Sequence, residues 1–400
     1  MATTATQLAL PEEILEEIFL RLDAADDLAR ASAACTSFRR VVSARRFLRR
    51  FRSLHPPPVV GFLNSDAAGE FHPAEPPRRS APAARALAQA ADFTFSFLPT
   101  PNCWDVCDAR DGRVLLYRRI SATKIFADLV VCDPLHRRYV QMPPIPDDLA
   151  ASTGGWGMQE FDPFLVPASE KEKEEVEEEK DLSFRLICAV QGQEKLVTFH
   201  FSSATGEWLG HTFHRATPLY SSLARSQGLF EHHCAHGCFF WTVSVISSYL
   251  FMLDMREMKL SVVDTPHCGY SGPRLRAIVE AGEGMIGLLV CGDGKLDLYC
   301  KALRSNGVGS EEWKHENTIP LPEVDCYWCI HSAVEGYALL EATPQESSQV
   351  SGVWPQIRKS QYYTLDLKTL LFERLCVLSQ DIEGAHLYAS FPPLLSLPTL

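Results

Sequence analysis

The chain has 400 residues, 46% hydrophobic and 22% charged, which allows one large domain or two to three ordinary ones with a substantial core. Its formal net charge of −12 argues against a general nucleic-acid binder, because neutralising phosphates needs clustered Lys and Arg. Thirteen cysteines at irregular spacing, no basic and apolar leader in residues 1–9, and no uninterrupted apolar run of about 18 residues predict reduced thiols, a cytoplasmic and/or nuclear protein, and no membrane span.

After a flexible stretch over 1–9, the first element begins at Leu10-Pro11. Pro11 suits the first position of a helix, where its missing N–H costs nothing, and Glu12, Glu13, Glu16 and Glu17 favour the positive end of the helix dipole. Ile14, Leu15, Ile18, Phe19 and Leu22 make a broad apolar stripe. Asp26 or Asp27 is expected to cap a second segment carrying Leu28, Ala31 and Cys35, and Thr36 or Ser37 a third carrying Phe38, Val41, Val42 and Leu48. Three small helices over 10–54 are predicted. So short a unit buries little, at roughly 25 cal/mol per Å², and an apolar face left over after the helices pack would be a binding site.

Leu10-Pro11, Ile14-Leu15, Ile18, Leu22, Asp27-Leu28-Ala29-Arg30 and Cys35-x-x-Phe38-Arg39 together resemble the F-box, over residues 10 to about 42. The family most often has Trp where this chain has Phe38. The resemblance implies docking on a Skp-type adaptor, and through it on a cullin. Leu10, Pro11, Ile14, Leu15, Ile18, Leu22, Leu28 and Phe38 match family positions that build or face the adaptor surface, and the sequence does not separate the two roles. An ordinary helical cap on a larger domain is the alternative. Arg39, Arg40, Arg45, Arg46, Arg49, Arg50 and Arg52 crowd the third helix and its continuation and read as a solvated face; a phosphate, acidic protein or anionic membrane contact is the other reading.

His55-Pro56-Pro57-Pro58 is a boundary no helix crosses, and residues 55–100 read as a Pro-rich linker with a first, imperfect β unit at 59–98. Within it, 72–82 is expected as a surface loop, 83–91 as a brief helix, and Phe93, Phe95 and Phe97 as an alternating strand. Residues 101–400 read as an all-β repeat domain. One recurring signal is Gly before an apolar run, at Gly112, Gly237, Gly284 and Gly336. The other is an alternating strand ending at Asp or Ser with a large apolar residue six positions on: Asp133 and Tyr139, Ser202 and Trp208, Asp254 and Leu260, Asp366 and Phe372. Alternation buries one face, and the Asp or Ser starts a hairpin turn by bonding its own backbone. The fold class is therefore α+β and multidomain: an N-terminal three-helix unit, then a β-propeller with five or six blades visible. A pair of β-sandwiches is the alternative. The phrases Asp-Gly-Arg-Val-Leu-Leu, Cys-Asp-Pro-Leu-His-Arg-Arg-Tyr and His-Gly-Cys-Phe-Phe-Trp resemble the β-rich region behind the F-box in a large plant, especially grass, family.

An acidic insertion at 168–182 reads as disordered or solvated, and Trp156, in a Gly-rich loop, is a candidate for substrate contact. His232, His233, Cys234, His236 and Cys238 invite a zinc reading, which strand alternation counts against because neighbours point to opposite faces. Cys326 and Cys329 form a lone C-x-x-C read as packing, and Asp111, His331 and Glu341 read as turn or surface residues. Phosphate-cradling loops and common hydrolase signatures are absent. The sequence thus assigns no catalytic residue, metal or cofactor. It predicts a non-catalytic substrate receptor of a Skp–cullin–F-box ubiquitin ligase with an unknown target protein, and a non-ligase scaffold or a propeller enzyme as the other classes.

Overall fold

Four short helices open the chain: α1 (Glu12–Leu20), α2 (Ala25–Ala34), α3 (Thr36–Val42) and α4 (Arg45–Leu54). Pro11 occupies the cap of α1, one residue before its expected place, and Glu12 and Glu13 lie in the first turn. Two expected caps move. Asp27 lies inside the first turn of α2, and α3 is capped by Cys35, whose sulfur accepts from the Phe38 N–H. The expected continuation of the third helix is a separate fourth helix, because Ser43 and Ala44 break the run and redirect Phe47, Leu48 and Phe51 into the helical core.

This computed structural model describes residues 10–22, 25–55, 57–65, 70–101, 103–118, 126–153, 160–167, 183–191, 195–214, 230–242, 249–266, 274–292, 294–304, 307–308, 312–334, 336–345, 359–380, 382, 384–396 and 398–400. Trp156 and the acidic stretch 168–182 lie outside them.

Among the described residues the remaining strands form six sheets. The first joins β1 (Val59–Asn64) and β2 (Phe71–Pro73) to a strand from the far end of the chain. The helix α5 (Ala81–Ala90) follows. The second sheet is β3 (Trp104–Arg110), β4 (Arg113–Arg118), β5 (Asp128–Asp133) and β6 (Arg138–Gln141). The third is β7 (Glu160–Leu165), β8 (Arg185–Gln191), β9 (Lys195–Ser202) and β10 (Glu207–His214), and the fourth β11 (Phe230–Ala235), β12 (Cys238–Thr242), β13 (Tyr249–Asp254) and β14 (Lys259–Asp264). The fifth holds β15 (Arg276–Glu280), β16 (Met285–Gly292), β17 (Lys295–Arg304), the short β18 (Gly307–Val308) and β19 (Lys314–Pro320), which pairs with β17. The sixth is β20 (Cys326–Val334), β21 (Tyr337–Pro344), β22 (Ser360–Asp366) and β23 (Leu371–Leu378), and the last strand, β24 (Ala385–Ala389), returns to pair with β1. All neighbours are antiparallel. Apolar cores lie between successive sheets, and the core of the first sheet touches both the second and the sixth, which closes the ring. The arrangement is a six-bladed β-propeller, with every blade led by a strand that the repeat signals do not mark.

The repeat signals have a common backbone cause. Asp111-Gly112 and His236-Gly237 are two-residue hairpin loops with both residues at positive φ, where the second position favours glycine. In the other hairpins Asp133, Asp254 and Asp366 accept from backbone N–H groups two or three residues on. Four positions after each Asp or Ser, at Arg137, Gly206, Met258 and Leu370, the chain passes through positive φ before the return strand.

Two expectations for 72–98 are overturned. Arg78 is not in a surface loop: it is buried, donates to Thr364 at 2.7 Å and pairs with Glu373 at 3.1 Å. Phe93, Phe95 and Phe97 form turns, because Asp92 accepts from the Thr94 N–H and from the Thr94 and Ser96 hydroxyls, and Phe95 takes positive φ. Their rings still enter the apolar core of the first blade.

Candidate functional site

Two regions stand out, the outer face of α1 and the centre of the propeller. In the helical unit Leu15, Phe19, Leu28, Val42, Phe47 and Phe51 make a buried core. The eight residues singled out by resemblance do not share one face. Leu15 (6% exposed) and Leu28 (0%) are core, and Leu22 and Phe38 are half-buried against it. Pro11 is exposed, and Leu10, Ile14 and Ile18 keep 54%, 47% and 46% of their surface in water. Ile14 and Ile18, four apart, lie along one side of α1, and Leu10 is exposed just ahead of its Pro11 cap, so one helix carries two apolar stripes, one satisfied inside and one facing out.

The arginine-rich segment is not a uniform solvated face. Arg40 pairs with Glu12, and Arg50 with Glu17 at 2.9 Å, so α3 and α4 are tied to α1 by exposed ion pairs. Arg52 lies over the Phe391 ring at 5.2 Å and donates to the Leu395 carbonyl at 2.8 Å. Phe391 and Leu395, from the end of the chain, belong to the helical core. Arg79, ahead of α5, reaches Asp27 of α2 at 2.6 Å.

At the centre of the propeller, β24, β3 and β7 are successive neighbours, as are β11, β15, β20 and β24. The His232 side chain of β11 sits 3.1 Å from the Asp162 carboxylate of β7 and joins the two arcs. Trp241 also donates to Asp162, at 2.9 Å, and Phe164 stacks on the His232 ring at 4.4 Å. Burial pushes the Asp162 carboxyl up, but the charge and hydrogen bond of His232 and the indole N–H hold it below its ordinary value. Burial pushes His232 down, and the Asp162 carboxylate overcomes this and raises it. The two form a half-buried ion pair. Asp108 accepts from the Ala109 and Leu165 N–H groups, both at 2.8 Å, and so pins β3 to β7. His386 of β24 meets the Ser65 hydroxyl at 3.0 Å, and burial lowers its pKa to about 4.

His331 and Glu341, expected as turn or surface residues, are both buried and 2.7 Å apart. Burial pushes Glu341 up, yet hydrogen bonds from His331, Ser360 and Thr343 bring it down to about 2. Cys329 lies beside them, its sulfur 3.5 Å from His331 Nε2 and 3.7 Å from Glu341 Oε2. Asp111 is a turn residue. The donors of the 232–238 stretch are dispersed. His232 belongs to Asp162, His236 meets the Met285 carbonyl at 3.0 Å, and burial lifts Cys234 to about 11 and Cys238 to about 12, which keeps both as thiols at neutral pH.

The sequence reading missed Asp108, Asp162 and His386. The available signal was a charged or ionisable residue inside an otherwise apolar strand, which is costly unless paired. Backbone irregularities contribute: β3, β11 and β20 each carry a register shift, at Val106/Asp108, Phe230/His232 and Ile330/Ser332, next to the residues that form this polar belt.

Residues 7–53 match the family described as F-box-like. No curated protein matches the chain in sequence. Among solved structures it is similar to a fucoside-bound lectin of Aleuria aurantia, at 11% identity and TM-score 0.31, over 69% of this chain and 77% of that one. It is also similar to a prolyl endopeptidase, at 12% identity and TM-score 0.32, over 82% of this chain and 51% of that one, so it spans about half of the peptidase. A third is a manganese-bound oligogalacturonate lyase, at 9% identity and TM-score 0.33, over 69% of this chain and 64% of that one. The family match and the ring of sheets together make this chain an F-box-like helical domain joined to a six-bladed β-propeller.

Proposed function

We propose that the protein is the substrate-recognition subunit of a Skp–cullin–F-box ubiquitin ligase, acting in the cytoplasm or nucleus. The observation that carries this reading is the outward stripe of Ile14 and Ile18 on α1, with Leu10 exposed just ahead of the helix, on a helical unit whose inner stripe is already buried. Among the described residues nothing covers this second apolar face, and a helical adaptor surface would cover it. The propeller then holds a target protein, and the C-terminal segment that joins it to the helical core fixes their relative orientation. The contribution to ubiquitin transfer is effective concentration, which needs no chemistry from this chain. Affiliation with the grass-type family rests on the three sequence phrases of the β-domain and is part of this proposal.

Co-purification tests it. The full chain expressed with a Skp adaptor and a cullin is expected to form a stoichiometric complex, and the Ile14→Asp, Ile18→Asp double variant to lose it while melting like the parent. A parent that fails to bind, or a double variant that binds equally well, removes the assignment.

A further inference from the structure

Cys329 and His331 are two positions apart on β20 and share a face, and Glu341 stands opposite Cys329 on β21. His331 falls at the register shift between Ile330 and Ser332, so no β21 residue opposes it and its ring leans to the Glu341 carboxylate. One sulfur, one nitrogen and one oxygen result, separated by 3.5, 3.7 and 2.7 Å.

The geometry discriminates between two uses of such a trio. A nucleophilic cysteine needs its histidine between thiol and carboxylate, with a different ring nitrogen for each. Here Cys329 and Glu341 both approach Nε2, and Nδ1 is buried with no hydrogen-bond partner. Three donors converging on one point is instead the arrangement of metal ligands. Around a tetrahedral zinc with bonds of about 2.0–2.3 Å, sulfur stands about 3.5 Å from nitrogen or oxygen, and nitrogen about 3.3 Å from oxygen. The two sulfur separations already fit, and the His331–Glu341 contact opens by about 0.6 Å when the shared proton gives way to an ion.

A second observation points to the same place. Tyr362 is fully buried, and its hydroxyl has no hydrogen-bond partner. It lies close enough to Glu341 and Cys329 to feel their charge, and its approach to the Glu341 carboxylate is too poorly aligned to satisfy the hydroxyl. An unsatisfied buried hydroxyl costs about 1–3 kcal/mol, and a water or ligand atom in a fourth coordination position would satisfy it.

We propose that Cys329, His331 and Glu341 bind one zinc-like transition-metal ion in the sixth blade, with the open position facing the Tyr362 hydroxyl. Thiolate and imidazole select such an ion over magnesium or calcium, which take oxygen ligands. The site differs from the 232–238 stretch, where a zinc reading begins in the sequence, and it revises the expectation that the chain holds no metal.

The test uses the full chain, stripped of metal with a chelator and verified as folded by circular dichroism. Titration with Co2+ is expected to saturate at about one ion per chain, with tetrahedral visible bands and a sulfur-to-cobalt charge-transfer band, and Zn2+ should displace it. Cys329→Ser should abolish the charge-transfer band, and Glu341→Gln should weaken binding at least about tenfold. Cys326→Ser, in the same C-x-x-C, should change neither. Uptake of less than about a tenth of an equivalent by the folded parent, or an unaltered cobalt spectrum in Cys329→Ser, overturns the proposal and leaves a hydrogen-bonded trio. Where a variant fails to fold, X-ray absorption of the parent's zinc adduct decides: one sulfur at about 2.3 Å supports the site, and none overturns it.

Discussion

The Phe51 ring in α4 meets the Phe391 ring edge to face, 6.2 Å between centroids, so the end of the chain completes the core of its first domain. Phe391→Ala should remove this contact and the platform under Arg52, at a cost of about 3 kcal/mol to the helical unit. Hydrogen exchange would show faster opening of α4 with the blades unchanged. Unaltered exchange in α4 would mean that the two domains are not coupled through this segment.

The two stripes of α1 give opposite expectations for adjacent residues. Ile14→Asp should change stability by no more than about 0.5 kcal/mol while removing adaptor binding. Leu15→Ala should instead destabilise the helical unit by about 2–4 kcal/mol, because it opens a cavity in the core. Chemical denaturation of both variants beside an adaptor pull-down separates the effects, and equal destabilisation by both would contradict the division of the helix.

Stability should fall with acid in two steps. Burial, with His232 nearby, holds His233 at about 3 in the folded chain against 6.5 ordinarily, so the unfolded chain binds the proton more tightly. Its contribution is complete above pH 6.5 and is lost as pH falls from there toward 3, about 2 kcal/mol of it by pH 5. Glu341, at about 2 against 4.5, adds a second loss as pH falls from 4.5 toward 2. Because His386 and His232 also shift in this window, urea midpoints of the parent and a His233→Gln variant between pH 8 and 4 check the first step: equal pH dependence from 7 to 5 would rule out a buried neutral His233.

The Asp162–His232 pair should be visible by NMR. In the parent the His232 ring should titrate above the ordinary histidine value, and in Asp162→Asn below it, since burial then acts without the carboxylate. The same substitution should cost about 1–3 kcal/mol through the bonds to His232 and Trp241. A midpoint that does not move would show that Asp162 is not the ring's partner.

Much of this was legible because it is local. Pro11, the acidic first turn and the Ile/Leu spacing mark α1, and the Asp and Gly turn residues mark the hairpins, since each acts through its own backbone within a few residues. Phe93, Phe95 and Phe97 show where that logic fails: their alternation imitates a strand, and the hydrogen bonds to Asp92 curl the segment.

By itself the sequence determined the helical unit with its family resemblance, the repeated β-hairpins and the absence of a long apolar span. Only the tertiary structure decided which face of α1 stays in water, that Phe391 and Leu395 belong to the first domain, that β24 closes the ring on β1, and that Cys329, His331 and Glu341 converge. The physical reason is range. Turn and helix signals are fixed by neighbours a few bonds away, whereas burial and the meeting of polar groups depend on which distant strands pack together, and a single sequence carries no local mark of that.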